Sequence, residues 1–170
     1  MCVQMAQKYT DIIEEDHIFP AKNLQNDIKI VCFVWDVNYM IKVLIPLEKE
    51  FYKYYQEIKD LYEKSQEKIC DTNSFEFVIK ETFFYMFLND DKLIGGIYYF
   101  LDENNKLFLN GFANRKMHEL CLKCLKNSLS WFVCDIYAQA QNRASALCLL
   151  KCGFKRVKDN IFVFNHKGGI

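Results

Sequence analysis

A chain of 170 residues has the length of one domain, enough to bury a sizeable core and too short for two enzyme domains. With 51% hydrophobic and 16% aromatic residues, and only 6 Gly and 2 Pro, disordered and low-complexity classes are excluded. The 22 Lys and Arg balance the 22 Asp and Glu, so no overall positive field exists to draw nucleic acid or an anionic membrane surface, and neither is expected as a partner.

The N-terminus, MCVQMAQKYTDIIEED, lacks a basic start followed by an apolar run, so a secretory leader is not expected. Apolar stretches stop well short of the ~20 residues that span a bilayer. Eight cysteines, at positions 2, 32, 70, 121, 124, 134, 148 and 152, then read as reduced and mostly buried thiols in a cytoplasmic protein. Residues 1–27 are polar, with a short helix possible over 4–15 and a break at Pro20. They form an N-terminal extension to a single domain over 28–170.

The run IKIVCFVW, residues 28–35, is β-branched, aromatic and bounded by Asp27 and Asp36, which predicts a first strand. Pro46 suits the first turn of a helix, and Leu47, Phe51, Tyr54, Ile58 and Leu61 then recur at helical spacing, predicting one helix to about Ile69. From Thr82 the texture changes to TFFYMFL, LIGGIYYFL and LFLNGFA, separated by turns at Asp90-Asp91 and Asn104-Asn105: a three-strand antiparallel meander. The pair Gly95-Gly96 lies inside the second of these strands, where a bulge or close strand packing explains it better than phosphate binding.

Next comes a helix over 115–131 with Asn114 as its N-cap, then a strand over 132–140. A short helix opens at Asn142 and closes at Gly153, and a hairpin, FKRV then IFVF, turns at residues 158–160. Cys121, Cys124, Cys148 and Cys152, with His118, share helix faces, but they interleave with leucine, which favours core packing over a metal site. No metal is expected.

The segment NRASALCLLKCGF, residues 142–154, together with the element order, resembles the GNAT superfamily of N-acetyltransferases. Asn142, Lys151, Gly153 and Phe154 stand at the offsets of that family's late motif. Asp91-Lys92-Leu93-Ile94-Gly95 is similar to its turn between second and third strands. Small divergent acetyltransferase-like proteins of bacteriophages look similar over the late motif. The resemblance covers residues 80–165 well and the first half by element order alone.

It implies an α/β (α+β) fold with a mixed, mostly antiparallel sheet of about six or seven strands flanked by helices. Residues 28–80 would then form the acceptor side and residues 81–165 the cofactor side. Acetyl-CoA would lie between two splayed central strands, its carbonyl on backbone amides near Phe112 and Ala113 and its pyrophosphate at a helix start. Aligned on the family's pyrophosphate loop, Arg115 takes the first position, and His118 and Leu120 stand where two small residues belong. Arg115, Lys116 and His118 would supply positive charge in place of the missing glycines, and Asn142 completes the cofactor-binding set.

The family's proton-donating tyrosine corresponds to Leu149, which cannot donate. Tyr137 or Cys148 are substitutes as acid, and Asp135, Glu103 or His118 as base, with core packing or solvation the competing explanation for each. The catalytic residues stay unassigned. The resemblance thus implies acetyl transfer from acetyl-CoA to an amine on a small molecule or protein. The alternative is an inactive domain keeping the fold for a structural or protein-interaction role, as in a phage virion.

Overall fold

The computed structural model describes residues 31–36 and 39–166, with side chains from Ile41 onward. The possible helix over 4–15 and the first residues of the predicted first strand lie outside them. The elements run β1 (Val31–Asp36), β2 (Tyr39–Leu44), a 3-10 turn (Lys49–Lys53), α1 (Tyr55–Glu63), α2 (Gln66–Ile69), α3 (Phe75–Glu81), β3 (Phe83–Asn89), β4 (Lys92–Leu101) and β5 (Leu107–Ala113). After a 3-10 turn (Arg115–Met117) follow α4 (His118–Ser128), a further 3-10 turn (Leu129–Trp131), β6 (Ile136–Gln139), α5 (Arg143–Lys151), β7 (Lys155–Lys158) and β8 (Ile161–Phe164).

All eight strands form one sheet in the order β1-β2-β3-β4-β5-β6-β8-β7, antiparallel throughout except for the β5–β6 pair. The fold is therefore mixed α/β with a mostly antiparallel sheet, as expected, and β2 raises the strand number to eight. Strand β2 was not predicted because Lys42 interrupts its apolar run; inside the sheet that lysine pairs with Glu50. Ile41 and Val43 face one side and Leu44 the other, the period-two pattern of a strand covered on both faces.

The single helix predicted from Pro46 to Ile69 is broken into three pieces. Tyr54 leaves helical geometry at φ −108° and ψ 4°, and Ser65 Oγ donates back to Leu61 O at 2.7 Å, which bends the chain before α2. Leu47 consequently falls outside the buried stripe, 48% exposed, while Phe51, Ile58 and Tyr62 are buried. Helices were expected on the acceptor side, but none was given bounds at α3; Ser74 Oγ caps it by accepting from Phe77 N at 3.1 Å, and Phe75 and Val78 bury one face.

The meander follows the predicted turns. Asp90 and Asp91 take φ of 48° and 58°, the left-handed pair of a tight hairpin, and Asp102 Oδ1 organises the next turn by accepting from Asn104 N and Lys106 N at 2.9 and 2.8 Å. A bulge at Ile94 shifts the register between β3 and β4, beside Gly95. The predicted strand over 132–140 shrinks to Ile136–Gln139, because Phe132 turns into the core against Tyr99, ring centroids 4.5 Å apart, and Val133 and Cys134 face solvent. Gly153, at φ 95°, ends α5 as expected.

Two cores result. On one face α4 and α5 pack Cys124, Leu149 and Cys152 against Tyr85, Ile97, Tyr99, Leu109, Ile136 and Ala138. On the other, Phe51, Ile58, Tyr62, Phe75 and Val78 pack against Phe84, Met86, Tyr98 and Phe112. Among the described residues no helix is long and apolar enough to cross a membrane.

Candidate functional site

The parallel pair β5–β6 is matched only over Leu107, Leu109 and the residue between them, against Ile136, Tyr137 and Ala138. Beyond that point each strand stays with its outer neighbour. Strand β5 remains paired with β4 through Gly95 and Ala113, and Asn114 N donates to Ile94 O at 2.8 Å. Strand β6 remains paired with β8 through Gln139 and Ile161, and Ala140 N donates to Asn160 O at 2.8 Å. The two central strands therefore part into a V that opens at their C-terminal ends. Gly111, in a central strand of the sheet, is solvent-exposed beside this opening.

The bond from Asn114 to Ile94 sets which amides face the gap. Alternation along β5 directs the backbone groups of Phe112 toward β4 and those of Gly111 and Ala113 toward the β6 side. Of the two amides expected to hold a carbonyl, Ala113 faces the opening and Phe112 does not. The Phe112 ring instead lies in the second core, 5.3 Å from Tyr62. Gly111 N is held by the neighbouring Asn110 Oδ1 at 2.9 Å.

Both helices that follow the parted strands begin at the mouth, so their N-terminal amides and dipoles converge there. Asn114 caps the first turn, its Oδ1 accepting from Lys116 N at 3.2 Å, and Arg115, Lys116 and His118 are exposed on it. Leu120 packs against the core, so only His118 of the two oversized loop residues projects outward. Asn142 and Ser145 form a reciprocal capping box on α5: Asn142 Oδ1 accepts from Ser145 N at 2.9 Å, and Ser145 Oγ accepts from Asn142 N at 3.1 Å. The amide oxygen of Asn142 is thus committed to the helix.

The structure brings together two of the candidates named for chemistry and disperses the rest. His118 Nε2 lies 3.3 Å from Cys148 Sγ, linking the start of α4 to the middle of α5 at the mouth. Glu103 lies in the turn before β5 and Asp135 just before β6, at the closed end of the V. Asp135 is also occupied, accepting from His166 N at 3.0 Å and Asn165 Nδ2 at 3.1 Å. Tyr137 sits at the paired end, its ring tilted against Phe108 at 5.6 Å with Lys106 over its ring. Leu149 is 7% exposed, in the core.

Burial raises the Cys148 thiol above its ordinary value, and pushes Cys121 and Cys124 up to about 12 and Cys152 to about 11. All four thiols are protonated at neutral pH. A polar cluster that the sequence did not reveal lies on the opposite face: Tyr98 donates to Asp71, and Asn110 Nδ2 donates to Ile69 O at 3.4 Å. Burial first, and then the hydrogen bond to Asp71, hold the Tyr98 phenol above its usual range. Tyr98 and Asp71 are twenty-seven residues apart in sequence and Asn110 and Ile69 forty-one, so no local pattern could announce them.

No family model matches the sequence, and no curated protein matches it. Solved structures do. A GNAT-family acetyltransferase from Staphylococcus aureus is 12% identical with a TM-score of 0.47, covering 75% of this chain and 99% of that one. An acetyltransferase from Salmonella typhimurium that modifies the N-terminal serine of a ribosomal subunit protein is 8% identical with a TM-score of 0.49, covering 74% of this chain and 94% of that one. A PaiA N-acetyltransferase from Thermoplasma acidophilum, in complex with coenzyme A, is 16% identical with a TM-score of 0.43, covering 72% of this chain and 96% of that one.

Proposed function

We propose that this protein is an N-acetyltransferase of the GNAT type, taking the acetyl group of acetyl-CoA at the V between β5 and β6 and passing it to an amine. The observation that carries the reading is the parting of the two parallel strands after Leu109 and Ala138, with two helix starts at the open end. A pantetheine arm suits this opening. Gly111 and Ala113 are the smallest side chains of β5 and lie on the face that bears α4 and α5, so an arm there meets backbone rather than bulk.

The cofactor would supply an activated acyl carbon. Ala113 N–H would hold the acyl oxygen, and Arg115, Lys116 and His118 would face the phosphates in place of a glycine cradle. The acceptor amine would come from the face of residues 37–80, where the Asp71–Tyr98–Asn110 cluster lies. The site asks no metal of the chain. A second reading, an inactive domain serving protein interaction, draws on the buried Leu149 where a proton donor would stand.

Acetyl-CoA at a hundredfold excess over Kd should stabilise the purified protein by about 2.7 kcal/mol, visible as a rise in Tm, and coenzyme A should co-elute in native mass spectrometry. An unmoved Tm at millimolar acetyl-CoA would favour the second reading. Asn142→Ala removes the capping oxygen and should cost about 1 kcal/mol in chemical denaturation. A larger effect on acetyl-CoA affinity than on stability would place Asn142 Nδ2 on the ligand; equal affinity would leave Asn142 as a cap alone.

A further inference from the structure

The balanced net charge conceals a division along the chain. Between Leu44 and Asn114 there are 13 Asp and Glu against eight Lys, whereas between Arg115 and Asp159 there are nine Lys and Arg against three Asp and Glu. The basic part is the one that contains both helix starts at the mouth. On α5, Arg143, Leu147, Leu150 and Lys151 recur at the spacing of one helix face, and that face is outward: Leu147 and Leu150 are each 50% exposed, and both flanking cations are exposed.

This face is continuous with the mouth. Leu147 is the neighbour of Cys148, which touches His118 at 3.3 Å, and His118 opens the helix whose first turn carries Arg115 and Lys116. A free nucleotide cofactor uses none of the leucines. A protein that presents an acidic, partly apolar helix would use both the leucines and their cations. Arg115 and Lys116, exposed on the first turn at the mouth, would also meet the single phosphodiester of a carrier's arm.

We infer that, besides acetyl-CoA, this site takes its acyl group from an acidic carrier protein bearing a 4′-phosphopantetheine thioester. The carrier docks on the Arg143–Leu147–Leu150–Lys151 face and sends its arm past Arg115 into the V. The inference rests on the acyltransferase reading above. In the transfer, the amine nitrogen bonds to the acyl carbon, the carbon–sulfur bond breaks, and the carrier thiol leaves with the proton given up by the amine. No oxidant or metal enters the balance.

The test uses the full chain and a fatty-acid-type acyl carrier protein in apo and acetyl-holo forms, with acetyl-CoA as the second probe. The acetyl-holo carrier should bind with micromolar Kd, more weakly at about 300 mM than at about 50 mM salt, because the contacts at the rim are ionic. Leu147→Glu and Leu150→Glu, both on exposed positions, should each weaken carrier binding at least tenfold while leaving the acetyl-CoA shift unchanged. Carrier binding that ignores both substitutions overturns the docking face. A protein that responds to acetyl-CoA and not to the carrier overturns this inference and keeps the acyltransferase; one that responds to neither overturns both.

Discussion

Gly95→Ala is expected to destabilise the protein by about 3 kcal/mol or more, read as a lower denaturation midpoint at unchanged slope. A Cβ at this position would lie 2.2 Å from Phe112 O and 2.8 Å from Ala113 Cα, and both are backbone atoms that side-chain rotation cannot move. Relief requires β5 to shift away from β4. The neighbouring Gly96 is crowded differently, by the Cζ atoms of Phe112 and Phe84 at 2.7 and 2.8 Å, so Gly96→Ala disturbs aromatic packing before it disturbs the strands. Because Ala113 is also the residue whose amide faces the V, Gly95→Ala should lower acetyl-CoA affinity as well as stability. A change in stability below about 0.5 kcal/mol would show that the strands are not in the close register described.

Tyr62→Ala should cost about 4 kcal/mol, the larger of the single-residue core losses expected here. The side chain is fully buried in α1, with ring centroids 5.5 Å from Phe75, 6.4 Å from Tyr98 and 5.3 Å from Phe112. It therefore fastens a helix, a second helix and two central strands through one ring. Tyr62→Phe should cost only about 1 kcal/mol, since it removes the bond from the phenol to Asn73 O at 3.0 Å while Gln66 Nε2 still donates to that carbonyl at 2.7 Å. Burial, and then the charge of Asp71, hold the Tyr62 phenol above its ordinary value, so it stays a donor through the alkaline range and its contribution is insensitive to pH near neutrality. Equal losses for the two variants would mean that the phenol, and not the ring, carries the effect.

The sequence expressed the meander well because its turns need residues that accept left-handed φ, and Asp90, Asp91 and Asn105 are such residues at such angles. Helix ends were equally local: Gly153 takes the left-handed φ past α5, and Asn114 and Asn142 cap helix starts by accepting backbone N–H groups two and three residues on. What failed was decided at a distance. Lys42 disguised β2 because its partner Glu50 lies in another element, and Ser65 broke a helix whose apolar spacing ran straight through it.

The site divides in the same way. Arg115, Lys116 and His118 were found as residues, but that His118 meets Cys148 thirty residues later depends on how α4 and α5 lie together. Glu103 and Asp135 were plausible carboxylates until the direction of the V put them at its closed end. Phe112 was matched by position along β5, whereas its amide direction follows from strand alternation relative to Asn114.

The short seam between β5 and β6 has a mechanical result. Strands β1 to β5 form one broad panel and β6, β8 and β7 a narrow one, and the rungs that join them span only Leu107 to Leu109. Each panel keeps its own ladder, so what fixes the angle between them is that short seam together with the core that α4 and α5 pack across both, Tyr99 and Leu109 on one side and Ile136 and Ala138 on the other.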